Sequence, residues 1–231
     1  MRYLVLATDY DGTLASEGRV DEATLAALQR LRNSGRKLIL ITGRQMDDLV
    51  QVFSHLELFD RVVAENGALL YCPATGEQKP LGEPPPPAFI QALQKQGVEP
   101  LSLGRVIVAT WHPHETTVLD VIRNVGLEHQ VIFNKGAVMI LPPGVNKASG
   151  LNAALDELQL LPQNTVGVGD AENDHAFLSV CGCGVAVANA LPMLKEHADI
   201  VTQGSRGAGV VELIDQLIVS DLENLAVCEN P

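Results

Sequence analysis

The sequence predicts an α/β protein with a doubly wound, mainly parallel sheet and a small α/β unit inserted mid-chain. Short apolar runs alternate with segments of helical spacing in the first third of the chain, and the last third repeats this alternation. Proline-rich stretches at residues 84–87 and 142–143 border a middle segment with its own helices and strands. We therefore expect a core domain of residues 1–83 and 144–231 and an inserted domain of residues 84–143.

The apolar runs at residues 3–7, 37–41 and 61–64 have the length of buried strands. Helical spacing separates them at residues 21–31 and 46–56. The last third predicts strands at residues 165–168, 184–187 and 200–201, and helices at residues 147–158, 172–180, 193–197 and 209–218. The insert predicts helices at residues 88–96 and 116–125, and strands at residues 105–111, 131–133 and 137–141. The tail from Ser220 has little periodicity, so we expect it to fray.

Composition indicates an ordinary soluble protein, with 46% apolar and 19% charged residues among 231. Sixteen basic and 28 acidic residues give a net charge of −12, which argues against general binding to nucleic acid or anionic membranes. No segment has the pattern of a signal peptide or a membrane span.

The cysteines show no disulfide framework, so we expect reduced thiols and a cytoplasmic location. Cys181 and Cys183 are either a metal-binding pair or small buried residues beside glycines. The four cysteines are Cys72, Cys181, Cys183 and Cys228.

Two acids follow the first predicted strand, in the run Asp9-Tyr10-Asp11-Gly12-Thr13. Functional sites of parallel α/β sheets form at the carboxyl ends of strands. Two carboxylates placed there are costly to bury without a cation, and Gly12 permits a tight loop whose backbone N–H groups face an anion. The alternative is an acidic turn in which Thr13 acts as a cap.

A second acidic group, Asp170 and Asp174, follows the strand at residues 165–168. These acids are four positions apart and share a face if Asp174 lies in the first helical turn. Their hard oxygen atoms suit Mg²⁺. The alternative is a helix start at which acids are favoured by the helix dipole, a role that Glu172 fits better than Asp170 does.

Two further groups supply what a phosphate needs. Thr42 and the N–H of Gly43 follow the second strand and can donate hydrogen bonds, and Arg44 can reach an anion or lie at the surface. Lys147 opens the helix after the insert, where the dipole disfavours a cation, so a functional role is favoured.

Together these groups resemble the haloacid dehalogenase-like (HAD) hydrolase superfamily, and the match spans nearly the whole chain. The insert between the second and third motifs resembles a C2-type cap. Thr42-Gly43-Arg44 and Glu65-Asn66-Gly67-Ala68 resemble the Cof-like phosphatases, and the small cap is similar to that of archaeal-type phosphoglycolate phosphatases. Ala148 and Ala171 depart from the usual glycine or serine of Cof-like members. The four motifs are Asp9-x-Asp11-x-Thr13, Thr42, Lys147 and Gly169-Asp170-x-x-x-Asp174.

The resemblance implies a Mg²⁺-dependent phosphatase acting on small phosphate monoesters, with phosphoglycolate or sugar phosphates as leading candidates. It implies that Asp9 attacks phosphorus to form an aspartyl phosphate, and that Asp11 first protonates the leaving oxygen and then activates water. The implied metal ligands are Asp9, the Asp11 carbonyl, Asp170 and Asp174. The implied phosphate- and substrate-binding residues are Thr42, Gly43, Arg44, Lys147 and Asn173.

Three alternatives remain open from sequence: a phosphomutase, a phospho-accepting signalling module, and a binding protein without turnover. The expected partner is a small phosphorylated metabolite rather than nucleic acid or membrane, and the chain is either a monomer or a homodimer. In the insert, His112 and His114 are either substrate contacts or residues of an exposed turn, and a metal role for them is the weakest alternative. Arg105 and Lys135 are weaker candidates for substrate contact.

Overall fold

The computed structural model describes residues 1–223 and contains two sheets. Eight strands form the larger sheet in the order β12-β11-β10-β1-β2-β3-β4-β5, and four form the smaller one in the order β6-β7-β9-β8. The strands are β1 (Val5–Asp9), β2 (Lys37–Ile41), β3 (Arg61–Ala64), β4 (Leu69–Cys72), β5 (Glu77–Pro80), β6 (Ser102–Leu103), β7 (Val108–Trp111), β8 (Gln130–Asn134), β9 (Ala137–Leu141), β10 (Thr165–Gly169), β11 (Cys183–Ala186) and β12 (Ile200–Val201).

Eight α-helices connect and cover these strands within the described residues. Helices α1 and α5 both contact β2; α1 also packs on α8, and α5 on α6. The helices are α1 (Glu22–Asn33), α2 (Met46–Val52), α3 (Pro87–Lys95), α4 (Glu115–Val125), α5 (Lys147–Leu158), α6 (His175–Val180), α7 (Pro192–His197) and α8 (Gly207–Ser220).

The larger sheet is parallel from β12 to β3 and ends in an antiparallel hairpin, β4–β5. This agrees with the predicted mainly parallel sheet. All five residues of β1 are buried, as expected for a central strand covered on both faces. Because β1 lies between β10 and β2 in parallel register, the residues that follow these three strands meet at one edge of the sheet.

The sequence prediction missed the β4–β5 hairpin. Strand β5 is exposed along its whole length, so it lacks the apolar alternation that marks a strand. It also ends at Pro80, which an edge strand tolerates because no further strand pairs with it.

Two predicted helices are shorter than expected. The helix predicted over residues 46–56 ends at Val52, because Phe53 is extended. The helix predicted over residues 172–180 begins as a 3₁₀ turn, Glu172–Asp174, and becomes α-helical at His175. The predicted fraying tail largely lies outside the described residues, since α8 ends at Ser220 and residues 224–231 are not described.

The smaller sheet and helices α3 and α4 enclose a separate apolar core. Helix α3 begins at Pro87. The first backbone N–H of a helix has no acceptor within the helix, so a proline at this position costs no hydrogen bond. A third apolar cluster joins this unit to the larger one and includes Ala68, Ile107 and Met139. The insert is therefore packed against the larger unit around Ala68, in the connection between β3 and β4. The predicted domain borders at residues 84 and 143 stay a prediction.

Cys72, Cys181 and Cys183 are free, and burial raises the pKa of the Cys183 thiol to about 12. Cys228 lies outside the described residues. Among those residues, no helix has both the length and the apolar character needed to cross a bilayer.

Candidate active site

Lys147 is the centre of the polar cluster at the sheet edge. Its ammonium donates hydrogen bonds to Asp9 Oδ1 at 2.6 Å and to Asp174 Oδ1 at 2.5 Å. The side chain is 1% exposed and lies at the first position of α5, whose N-terminus is capped by the side chain of Asn146. Burial and the helix dipole both oppose a cation there, but the carboxylates of Asp174 and Asp9 outweigh them and raise the pKa of Lys147.

Asp174 fixes the loop that follows β10. Its Oδ2 accepts hydrogen bonds from the backbone N–H groups of Asp170 and Ala171, at 2.8 and 2.9 Å. A Cβ on Gly169 would lie 2.7 Å from the Asp174 side chain, so only glycine allows the carboxylate to fold back over the strand end. Asp174 therefore holds Asp170 and Lys147 in place, and both of its oxygens already accept hydrogen bonds.

Asp9 is buried in a site rich in negative charge. Burial, together with the neighbouring Asp174, raises the pKa of Asp9 to about 7, although Lys147 acts in the opposite direction. Among the described residues, Asp9 Oδ2 accepts no hydrogen bond from a side chain. Asp9 thus presents one held oxygen and one free oxygen, and a further cation would favour its ionised form.

The acids fit a divalent metal ion. Asp9, Asp170 and Asp174 each offer an oxygen, and these atoms lie within 4.8 Å of one another. Within residues 1–223, Asp170 Oδ1 is buried without a hydrogen-bond partner, and burial raises the pKa of the Asp170 carboxyl. Buried carboxylates without donors are costly unless a cation is near. A set of hard oxygen donors of this kind suits Mg²⁺.

Asp11 and Arg44 form an ion pair at the mouth of the site. The Arg44 guanidinium donates to both Asp11 carboxylate oxygens, from Nε at 2.6 Å and from Nη2 at 2.8 Å, and Nη1 donates to Asp48. The buried Thr42 hydroxyl accepts the N–H of Arg44 at 3.1 Å. The Asp11 side chain is absent from the three-carboxylate cluster.

Asn173 contacts a residue that the motif pattern alone does not point to. Its Nδ2 donates to Asn66 Oδ1 at 2.9 Å, which joins the loop after β10 to the turn after β3. In the described part of the chain, Asn173 Oδ1 and Asn66 Nδ2 are buried without partners. Asn173 lines the cavity described next, whereas Asn66 supports it from outside the lining.

A cavity of about 560 Å³ lies between the cluster and the insert. Five predicted site residues line it, whereas Thr42, Lys147, Asp170 and Asp174 are not among its lining residues. The core side contributes Asp9, Asp11, Gly43, Arg44, Gln45, Asp48, Ala171 and Asn173, and the insert contributes Ser102, Ile107, Ala109, Thr110, Trp111, Asn134, Lys135, Ala137 and Met139.

Glu65 ties the insert to the core. Its buried carboxylate accepts the backbone N–H groups of Arg105, Val106 and Ile107, at 2.7, 2.9 and 3.0 Å. Any side chain larger than hydrogen at Gly104 would meet this carboxylate, 2.6 Å from its carbon. The sequence motif at residues 65–68 marked this segment, but nothing in it indicated which residues it contacts.

Neither insert histidine lines the cavity. His112 pairs with Glu115 and His114 with the Glu99 carbonyl, and both histidines are at the surface or near it. Of the alternatives from sequence, the structure favours a turn for both histidines.

The other two insert candidates lie apart from each other. Arg105 faces a second, smaller cavity of about 250 Å³, whereas Lys135 reaches the acidic cluster itself.

The doubly wound sheet, with paired acids and a buried lysine at its strand ends, is an α/β fold with a Rossmann-like core. The chain belongs to the haloacid dehalogenase-like hydrolase family, whose model matches residues 6–99 and 128–214.

Similar proteins agree with this assignment. The chain is 31% identical to "Phosphoglycolate phosphatase 2" of Saccharolobus solfataricus, over 93% of this chain and 92% of that protein. It is 29% identical to a phosphoglycolate phosphatase of Methanothermobacter thermautotrophicus, over 90% and 96% of the two chains. A haloacid dehalogenase-like hydrolase from Bacteroides thetaiotaomicron has the same fold, with a TM-score of 0.79, 20% identity and coverage of 93% and 99%.

Proposed function

We propose that this protein is a Mg²⁺-dependent phosphatase that hydrolyses small phosphate monoesters through an aspartyl phosphate on Asp9. The observation that carries the proposal is the buried ammonium of Lys147, which binds Asp9 and Asp174 beside Asp170. The chain is a phosphatase of the haloacid dehalogenase-like family, as are its relatives named phosphoglycolate phosphatase.

The first step is attack on phosphorus. The free oxygen of Asp9 forms the new O–P bond while the bond to the leaving oxygen breaks, and Asp11 gives that oxygen a proton. Lys147 holds the other Asp9 oxygen and offsets its charge, which lowers the repulsion between a carboxylate and an anionic ester. Gly43, Arg44 and Asn173 line the cavity where the phosphoryl oxygens would lie.

The second step returns the enzyme to its starting state. Asp11, now a carboxylate, takes a proton from water, the water oxygen bonds to phosphorus, and the bond from Asp9 to phosphorus breaks. Thr42 and Lys147 would hold the phosphoryl group during both steps. Closure of the insert over the cavity would limit access of bulk water during the first step.

Asp9, Asp170 and Asp174, with the Asp11 carbonyl, would hold the metal. When bound, Mg²⁺ supplies positive charge that favours ionised Asp9 and stabilises the phosphoryl oxygens. Asp174 also fixes its neighbours, because its oxygens accept hydrogen bonds from the Lys147 ammonium and from the backbone N–H of Asp170.

Phosphoglycolate and small sugar phosphates are the proposed substrates. The relatives named phosphoglycolate phosphatase favour the former. A phosphomutase would pass the same phosphoryl group to a sugar hydroxyl, and a signalling module would keep it. We further propose that the protein is cytoplasmic, that it is a monomer or a homodimer, and that residues 84–143 form its cap.

A panel of phosphate monoesters assayed with Mg²⁺ tests this function. We expect release of inorganic phosphate, with kcat/KM highest for a small substrate. Transfer to a second sugar in place of water would favour the phosphomutase, and a stable phosphoprotein without turnover would favour the signalling module.

A further inference from the structure

Lys135 reaches from the insert into the acidic cluster of the core. It forms, with Gly136, the two-residue turn between β8 and β9, and both residues have positive φ, 47° and 89°. Its ammonium donates to Asp170 Oδ2 at 2.8 Å and to the Asp11 carbonyl at 3.3 Å. A hairpin tip of the insert thus closes on two oxygens of the core.

Asp170 belongs to the three-carboxylate cluster that would hold the metal, and the family resemblance adds the Asp11 carbonyl to that set. Gly12 leaves room for the ammonium, because a Cβ there would lie 2.9 Å from Lys135 Nζ and 2.3 Å from Asp170 Oδ2. The ammonium therefore takes the place of a cation beside Asp170. The Lys135 ammonium carries a single positive charge and offsets the negative charge of the Asp170 carboxylate, a side chain that is only 5% exposed.

A divalent ion and this ammonium repel each other at such distances. A divalent ion, with twice the charge and several carboxylate oxygens available to it, would displace the ammonium from Asp170. The lysine has a flexible four-carbon stem and is 46% exposed, so its head group can turn away from the acids. The space next to it is the cavity that Lys135 itself lines.

Lys135 is the one charged side chain that the described insert contributes to this cavity. On the core side, Arg44 is already bound by Asp11 and Asp48. The remaining insert residues of the lining are apolar or uncharged. Lys135 is therefore the insert residue that could bind a negative charge on the leaving portion of a substrate.

We propose that Lys135 is a specificity-determining residue, displaced from Asp170 by the divalent metal and then bound to an anionic group on the leaving portion of the substrate. The inference rests on the proposed phosphatase function and deepens it. It assigns the substrate class as phosphate monoesters that carry a second negative group, such as a carboxylate.

Two measurements on Lys135→Met test both halves of the inference. The first is kcat/KM for 2-phosphoglycolate and for ethyl phosphate, which lacks the carboxylate. We expect the ratio of the two values to fall about 10- to 100-fold, the effect of one charge-assisted hydrogen bond. Lys135→Arg, which keeps the charge, should retain most of the ratio, and Lys95→Met, on exposed α3, should retain all of it.

The second measurement is Mg²⁺ affinity without substrate, by titration calorimetry. Loss of a competing cation should tighten binding by about 10-fold in Lys135→Met and leave Lys95→Met unchanged. An unchanged substrate ratio, or Mg²⁺ binding that is unchanged or weaker, overturns the inference. If the unaltered protein hydrolyses neither ester nor any other monoester, the proposed function itself fails. The calorimetry reports on the metal competition in either case.

Discussion

Arg44 and Asp11 are joined by two parallel hydrogen bonds, from Nε to Oδ2 and from Nη2 to Oδ1. The pair occupies both oxygens of the carboxyl group that is proposed to donate and accept protons. Asp11 can act on a leaving oxygen only after at least one of these bonds opens. The phosphoryl group of an incoming substrate is a competing partner for the guanidinium, so substrate binding and release of Asp11 are coupled.

The first prediction concerns Arg44→Met. The variant loses a bidentate partner for the phosphoryl group, so we expect kcat/KM to fall about 10- to 100-fold for every monoester. Because the contact is to the group that all substrates share, the ranking of substrates should not change. Steady-state kinetics on phosphoglycolate, a sugar phosphate and an aryl phosphate measure this. Arg123→Met, an exposed change on α4, is the matched control. A loss confined to one substrate would assign Arg44 to the leaving group instead.

The second prediction concerns the metal. EDTA should abolish turnover, and added Mg²⁺ should restore it. Ca²⁺ should restore it poorly, because its larger and more variable coordination disturbs the alignment of the attacking oxygen with phosphorus. Asp170→Asn should weaken Mg²⁺ binding measured by calorimetry, since it removes a buried carboxylate of the cluster. Full activity in excess chelator would exclude the metal role.

The third prediction concerns how the stability of the metal-free protein depends on pH. The pKa of Asp9 is raised from 3.8 to about 7, so between these values the folded state holds a proton that the unfolded state releases. The contribution of Asp9 to the free energy of unfolding therefore falls as pH rises through this window and is fully lost above it.

Asp9→Asn removes this titration. In EDTA, the stability of the variant relative to the unaltered protein should increase from pH 5 to pH 8, as measured by urea unfolding. Asp170 also has a raised pKa, but it is present in both proteins and largely cancels in the comparison. A difference that stays constant or shrinks with rising pH would show that Asp9 is ionised throughout.

The fourth prediction concerns Glu65→Gln. Three backbone N–H groups donate to the two carboxylate oxygens of Glu65, whereas the amide has one acceptor oxygen and places its NH₂ donor against at least one of these N–H groups. We expect the free energy of unfolding to fall by about 2 to 4 kcal/mol. Hydrogen exchange at residues 105–107 should become faster, since these amides lose their partners. Glu128→Gln, at the exposed end of the segment before β8, is the control. Unchanged exchange at these amides would contradict the proposal that Glu65 holds the insert against the core.

The parts of the site that lie on strand ends could be read from sequence. A short, mostly apolar run that leads into Asp9, or into Asp170, has few explanations other than a buried strand with acids at its end. Lys147 was identifiable because a cation at a helix start is unfavourable unless acids compensate it. The structure supplies those acids, Asp9 and Asp174.

Contacts between distant segments could not be read in this way. Glu65 meets backbone groups some 40 positions later in the chain, and backbone N–H groups leave no trace in residue type. The contact of Lys135 with Asp170 depends on how the insert sits on the core. The polar, exposed β5 carried no strand signal, and it became a strand only because β4 offered it an edge.

Trapping the phosphoenzyme shows directly whether Asp9 is the residue that carries the phosphoryl group. The protein with Mg²⁺ is mixed with a reactive aryl phosphate, quenched in acid during turnover, and reduced with borohydride, which converts an aspartyl phosphate to homoserine. Peptide mass spectrometry then locates the modified residue. We expect homoserine at position 9 and none in Asp9→Asn or in EDTA. Modification of another residue during turnover, or rapid turnover by Asp9→Asn, would contradict it.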